Sequence, residues 1–208
     1  MSEPEQGPEQ PQLYLLTPPM FDLSTFPDQL AGVLDAHDIA CVRLALATHD
    51  EERIARAADA CRAVAHARDV AIVVADHTAL AERLGLDGVH LSTTRVSVRD
   101  ARKALGPDAI VGSFCGTSRH DGLSAGEAGA DYIAFGPVSV TGDAGATLDE
   151  LFQWWSDVVE VPVVAEGGLT TQAIERLAPF TDFFGIGEEI WDTDDAVAAL
   201  AALTAPLT

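Results

Sequence analysis

"VPVVAEGGLTTQAIERLAPFTDFFGIGEEIW" runs from Val161 to Trp191. Two apolar runs, VPVVAEG (161–167) and DFFGIG (182–187), read as strands, and residues 171–178 between them as a helix. Neither run alternates polar with apolar residues. Both faces of each strand are therefore buried, as in a parallel sheet covered by helices. Both strands also stop on glycine, which asks what sits where they stop.

The same alternation continues outward from this unit. Strands are expected at 12–17, 39–46, 70–75, 88–92, 109–115 and 131–137, and helices at 25–37, 49–68, 78–85, 97–106, 122–129, 147–159 and 189–203. Eight strand–helix units predict an α/β fold, a closed (β/α)8 TIM barrel. A doubly wound sheet is the alternative. TPPMFD (17–22), in place of G-x-G-x-x-G after the first strand, counts against its dinucleotide-binding form.

With 208 residues and 48% apolar content the chain can bury one sizeable core, so a single barrel is expected over 12–208. The Glu-, Gln- and Pro-rich start predicts a disordered tail over 1–11 and lacks the basic and apolar regions of a secretion signal. No apolar run reaches the roughly 18 residues of a membrane span. Cys41, Cys61 and Cys115 are odd in number and widely spaced, which disfavours a disulfide framework or a zinc knuckle and suits a reduced, cytoplasmic setting. A net charge of −21 repels nucleic acid and anionic membrane, so neither is expected as a partner. Its simplest role is solubility. Lys103 is the only lysine, which restricts any mechanism that needs ammonium groups.

In such barrels the active site lies at the C-terminal strand ends, and the loops after strands seven and eight often hold a phosphate. Glycine lets backbone N–H groups approach an anion, and a helix N-terminus adds donors. Gly167, Gly168, Gly185 and Gly187 are thus candidate phosphate-binding residues; the competing reading is that they make tight turns only. Glu166, Glu188 and Glu189 stand beside them. Their carboxylates must turn away from a bound phosphate, or the cradle serves something neutral, cationic or metal-bound.

Other candidates ring the same end. Arg43 lies in strand two, Asp76 and His77 end strand three, and GSFCGTSRHDG (112–122) follows in and after strand five. Ser113, Thr117 and Arg119, with Thr141 after strand six, are candidates for the substrate mouth. His120, between Arg119 and Asp121, has the side chain of a general base; an ordinary exposed loop is the competing reading. His90 reads as a hydrogen-bonded core histidine, Cys115 as a buried thiol, Trp154-Trp155 as core and subunit interface, and Asp76 as a possible divalent-metal ligand.

LDGVHLS (86–92), ARKALGPDAIVG (101–112), GADYIAFGPV (129–138) and VPVVAEGGL (161–169), in this order, resemble the thiamine phosphate synthase and thiazole tautomerase family. The resemblance implies a barrel that joins a pyrimidine diphosphate to a thiazole phosphate, releasing diphosphate, with Mg²⁺. It implies that backbone atoms of Gly167, Gly168, Gly187 and Glu188 hold the thiazole phosphate. The thiazole nitrogen is the nucleophile and needs no general base.

The chain departs from the family pattern on the diphosphate side. RLALA (43–47) stands for Q-L-R-E-K and leaves Arg43; Ala75-Asp76-His77 stands for N-D-D and leaves Asp76. Arg95 falls where a second magnesium carboxylate is expected. The family's hydroxyl falls at or beside Phe114, next to Ser113. Thr141-Gly142 replaces a T-K pair, and Pro137 stands where the tautomerase branch has histidine. A charged hydrogen bond to phosphate contributes roughly 1.5–3 kcal/mol, so several losses amount to about five orders of magnitude in rate. The expectation is a synthase-like barrel, weakened in diphosphate-side catalysis, with Arg43, Asp76 and His120 as catalytic candidates and a small heteroaromatic phosphate as ligand. A non-catalytic binding or regulatory protein for a thiamine-pathway phosphate is one alternative, and new chemistry at His120 another. A homodimer is possible, since many barrels pair.

Overall fold

The structure, a computed structural model, describes residues 10–93, 95–139 and 143–207. Eight parallel strands close in sequence order: β1 (Gln12–Leu16), β2 (Ile39–Leu44), β3 (Ala71–Ala75), β4 (Gly88–Leu91), β5 (Ile110–Phe114), β6 (Tyr132–Phe135), β7 (Val163–Glu166) and β8 (Phe183–Ile186). The ring shuts where β8 pairs with β1, Gln12 opposite Phe183 and Leu15 opposite Ile186. Helices α1 (Phe26–Ala36), α2 (Glu51–His66), α3 (Thr78–Leu84), α4 (Val98–Leu105), α5 (Arg119–Glu127), α6 (Asp143–Val158) and α7 (Thr171–Leu177) cover the outside. This is the (β/α)8 barrel expected from the alternation.

Three helices differ from expectation, one of them α6, which begins at Asp143 rather than 147. The single helix at 189–203 is two, α8 (Glu188–Trp191) and α9 (Ala196–Leu203). Asp195 starts the second by accepting the N–H of Ala198, a local cap that competes with continuing the first. Helix α5 begins at Arg119 rather than 122, because the Ser118 hydroxyl accepts the N–H of Asp121. His120 therefore sits in a first helical turn and not in a loop. The expected tail falls mostly on residues 1–9, outside the described residues, as does Thr141.

Two apolar shells position the site. Outward-facing strand residues such as Leu15, Val42, Ile72, Val111 and Ile133 pack under Leu30, Ile54, Phe152 and Trp155. Each fully buried side chain of this size contributes about 1.5–3 kcal/mol. Trp155 is fully buried and donates its indole N–H to the Val161 carbonyl, whereas Trp154 is half-buried beneath Arg119. Inside the ring, Tyr14, Cys41, Val73, Tyr132, Ala134 and Val164 form a second cluster. Gly112 makes room for it: a Cβ there would stand 2.0 Å from the Tyr132 ring. Among the described residues no helix is long and apolar enough to cross a membrane.

Candidate active site

Above the inner cluster the barrel carries charge. Arg43 is one residue from the end of β2 and Glu166 is the last residue of β7; each is the single charge of an otherwise apolar strand. Alternation turns both toward the axis, where they meet. Arg43 Nη2 donates to Glu166 Oε1 at 3.1 Å, and Nη1 lies 3.0 Å from Oε2. The second approach is close enough for ion pairing but lacks hydrogen-bond geometry, and Oε2 is otherwise without a hydrogen-bond partner, as is Arg43 Nε. Arg43 Nη1 also lies 2.6 Å from His90 Nε2.

The donor inventory assigns the histidine tautomer. Arginine only donates, so His90 Nε2 accepts, and the ring proton sits on Nδ1. Nδ1 then donates to the Tyr132 hydroxyl at 2.9 Å, which shares a 2.6 Å hydrogen bond with Tyr14. Burial, then the Arg43 charge, hold His90 well below the usual histidine range, so it is neutral. Burial works to lower the Arg43 guanidinium, but Glu166, with Tyr14, lifts it above its ordinary value. Burial raises both tyrosines, Tyr14 well above the phenol range. The interior is thus a sealed chain of hydrogen bonds under the mouth. His90 is the core histidine expected from its apolar neighbours, and the Arg43 charge is committed to Glu166.

The two glycine stops converge as the strand ends suggested. The N–H groups of Gly168 and Leu169 point at one spot, 3.0 and 2.9 Å from a carboxylate oxygen, and the N–H of Gly187 donates to the other oxygen at 2.8 Å. The carboxylate is that of Glu189. The side chain therefore turns inward and takes three donors from two loops, while Glu188 is exposed. Gly167 gives its carbonyl to Ser139 N–H and has φ +86°; Gly168 has φ +73°. A Cβ on Gly168 would stand 2.5 Å from Ser139 Cβ. Both glycines are required by backbone conformation and by the neighbouring β6 loop, with or without a ligand. Gly185 is buried within β8.

Asp76, just past β3, adopts φ +58°, a region asparagine and aspartate tolerate better than most side chains. Its Oδ1 accepts the N–H groups of Ser92 and Thr93 at 2.8 and 3.2 Å, which ties the β3 end to the β4 loop. Oδ2 takes no hydrogen bond from any described residue. Among the described residues no group of three His, Cys, Asp or Glu side chains is placed to hold a metal.

The remaining candidates lie apart from these. Phe114 packs into the inner cluster, so its neighbour Ser113 faces the helices, where it lines a cavity of about 360 Å³ with Ser92 and Asp121. Thr117 is exposed in the turn before α5. Arg119 lies 4.1 Å over the Trp154 ring on the outer layer. His120 is exposed, with no side-chain partner among the described residues. The three thiols are free and buried; burial pushes Cys41 and Cys61 up to about 12 and raises Cys115, which leaves no ready thiolate.

Two features escaped the sequence reading. The Arg43–Glu166 pair was signalled by two lone opposite charges in apolar strands. The turned-in Glu189 was signalled only by a carboxylate two residues past Gly187.

The closed parallel ring with its polar groups at the strand ends defines a small-molecule (β/α)8 barrel. The profile of the family described as thiamine monophosphate synthase matches residues 13–181. A thiamine-phosphate synthase of Rhodospirillum centenum is 43% identical over 195 residues, covering 92% of this chain and 94% of that protein. One of Erythrobacter litoralis is 40% identical over 199 residues, covering 91% and 92%. Among solved structures, the thiamine phosphate pyrophosphorylase of Pyrococcus furiosus superposes with a TM-score of 0.81 at 21% identity, covering 94% of this chain and 95% of that one. The chain belongs to the thiamine monophosphate synthase family.

Proposed function

We propose that this barrel is a condensing transferase of the thiamine phosphate synthase type. It joins a pyrimidine carried as its diphosphate to a thiazole at the strand-end mouth. The thiazole nitrogen supplies the electron pair of the new C–N bond, and the C–O bond to diphosphate breaks with its pair leaving on oxygen. No proton moves in that step, so the reading needs no partnered base, and none of the described residues gives His120 one. The observation that carries the reading is Asp76: a non-glycine residue at positive φ, anchored by two N–H groups at the mouth, is the kind of conformation kept where a side chain must be aimed.

Mg²⁺ fits this arrangement through one protein ligand. Asp76 would hold it with Oδ2, the other ligands being substrate oxygens and water, as is common for this ion. Its chemistry there is to neutralise charge on the departing diphosphate. The residues themselves orient and enclose: neutral His90 and the two tyrosines form a dry floor that excludes water from a reacting carbon. The test is a two-substrate assay with Mg²⁺, pyrimidine diphosphate and thiazole phosphate, scored for thiamine phosphate. Turnover near 1 per second, within the usual enzyme range, is expected of a working synthase. Product no greater than in a protein-free control would move the function to ligand binding.

A further inference from the structure

On the opposite side of the mouth the loops after β1 and β2 stand apart around an open cavity of about 820 Å³. The β1 loop provides an apolar wall that includes Met20, 73% exposed, and Leu23, 38% exposed. Phe21, stacked on Phe26 at 4.1 Å between ring centroids, stiffens it. The facing wall is the start of α2, where Arg53 and Arg56 both line the cavity, three residues apart.

These two arginines are set apart by lining one cavity together; Arg83, Arg95 and Arg99 likewise have no carboxylate partner among the described residues. Arg43, Arg62, Arg68, Arg102 and Arg176 each pair with a carboxylate, as a chain of net charge −21 easily allows. Neither Arg53 nor Arg56 makes an ion pair or side-chain hydrogen bond with any described residue, although Glu52 lies one helical turn before Arg56. Two like charges at this helical spacing repel rather than support the helix. Among the described residues that line the cavity the one carboxylate, Asp22, has an oxygen bound to the N–H and hydroxyl of Ser24, so two positive charges face one negative. The cavity therefore has an apolar wall, a cationic wall and a net positive charge. Paired guanidinium forks match the oxygens of phosphoryl groups.

We propose that Arg53 and Arg56 form an anion-binding site for the phosphate or diphosphate end of a small ligand whose flat apolar part lies against the Met20–Leu23 wall. This goes beyond the condensation reading, because the site is defined by binding and stands whether or not the chain turns over. It also places the anion on the β1/β2 side, away from the cradle that Glu189 fills.

The test is calorimetric titration of the full chain with inorganic diphosphate at low ionic strength, where exposed charges are least screened. Wild type is expected to bind with a dissociation constant below about 1 mM, a weak but specific affinity. The double variant Arg53→Gln/Arg56→Gln is expected to bind at least tenfold more weakly, and Met20→Glu, which sets a carboxylate on the facing wall, to weaken binding in the same direction. Both changes are at exposed positions, and circular dichroism checks the fold. Arg83→Gln, on α3 outside the cavity, is expected to leave binding unchanged. No binding by wild type, binding unaffected by the double variant, or an equal loss with Arg83→Gln would each overturn the site. None of these results depends on turnover, so the condensation reading is judged separately by its own assay.

Discussion

On the β7/β8 side of the mouth the inward charges of the described residues are answered inside the chain. Glu189 takes the N–H groups of Gly168, Leu169 and Gly187, and Glu166 takes the Arg43 guanidinium. On the β1/β2 side the charges are left over: Arg53 and Arg56 face an open cavity with apolar residues exposed across from them. A self-satisfied region is stabilised by its own hydrogen bonds, and a ligand entering it must displace a partner of equal charge. An unsatisfied region gives up stability and keeps binding capacity. The two sides of one mouth thus divide structural and binding roles, and each can be tested against the other.

The largest expected effect is at the inner pair. Glu166→Ala leaves a buried guanidinium without its counter-charge and should cost about 3–5 kcal/mol of stability in urea unfolding. Arg43→Met/Glu166→Leu together should recover most of that loss, because apolar packing replaces a pair whose desolvation was never fully offset. If the single variant were as stable as wild type, the β7/β8 side would not be self-satisfied in the sense argued.

Asp76→Asn comes next. Removing one charged contact to a diphosphate–metal assembly is worth roughly 1.5–3 kcal/mol, or about 10- to 150-fold in turnover. Unchanged circular dichroism with that loss in the two-substrate assay places Asp76 at the chemistry. Equal loss of stability and activity would make it a loop anchor only.

Glu189→Ala sharpens the comparison directly. Three donors lose their partner, at a cost of about 1–3 kcal/mol. In the variant, inorganic phosphate should raise the melting temperature in a concentration-dependent way, as any ligand of the native state does, and in wild type it should not. Phosphate stabilising both proteins equally would mean that Glu189 does not occupy the cradle in solution.

The smallest effect is pH-dependent. His90 is held below its ordinary value by burial and Arg43, with Glu166 and Tyr132 the other ionisable groups around it. The unfolded chain therefore takes up the proton first as pH falls. Stability is fully present above the unfolded value of about 6.5 and is lost on acidification below it, by up to about 1.4 kcal/mol per pH unit until the folded group titrates. His90→Gln should flatten the slope of unfolding free energy between about pH 6.5 and 5 by up to one proton. An unchanged slope would locate the acid sensitivity elsewhere.

By itself the sequence determined the barrel. Unbroken apolar strands alternating with amphipathic helices and stopped by glycine are local patterns, and only one closed architecture buries eight of them at once. It also determined the family, through GADYIAFGPV and VPVVAEGGL, and the buried state of His90 and Cys115. The α5 start was misplaced because a serine cap, a single hydrogen bond at Ser118, outweighed the weak helix formers that follow it. What only the tertiary structure decided is which charge meets which. Arg43 and Glu166 are 123 positions apart, and Glu189 reaches back to Gly168 across 21. Arg53 and Arg56 are marked by facing one cavity without such a partner. Charge pairing depends on distances of a few ångströms between segments far apart along the chain, and no spacing within one segment encodes it.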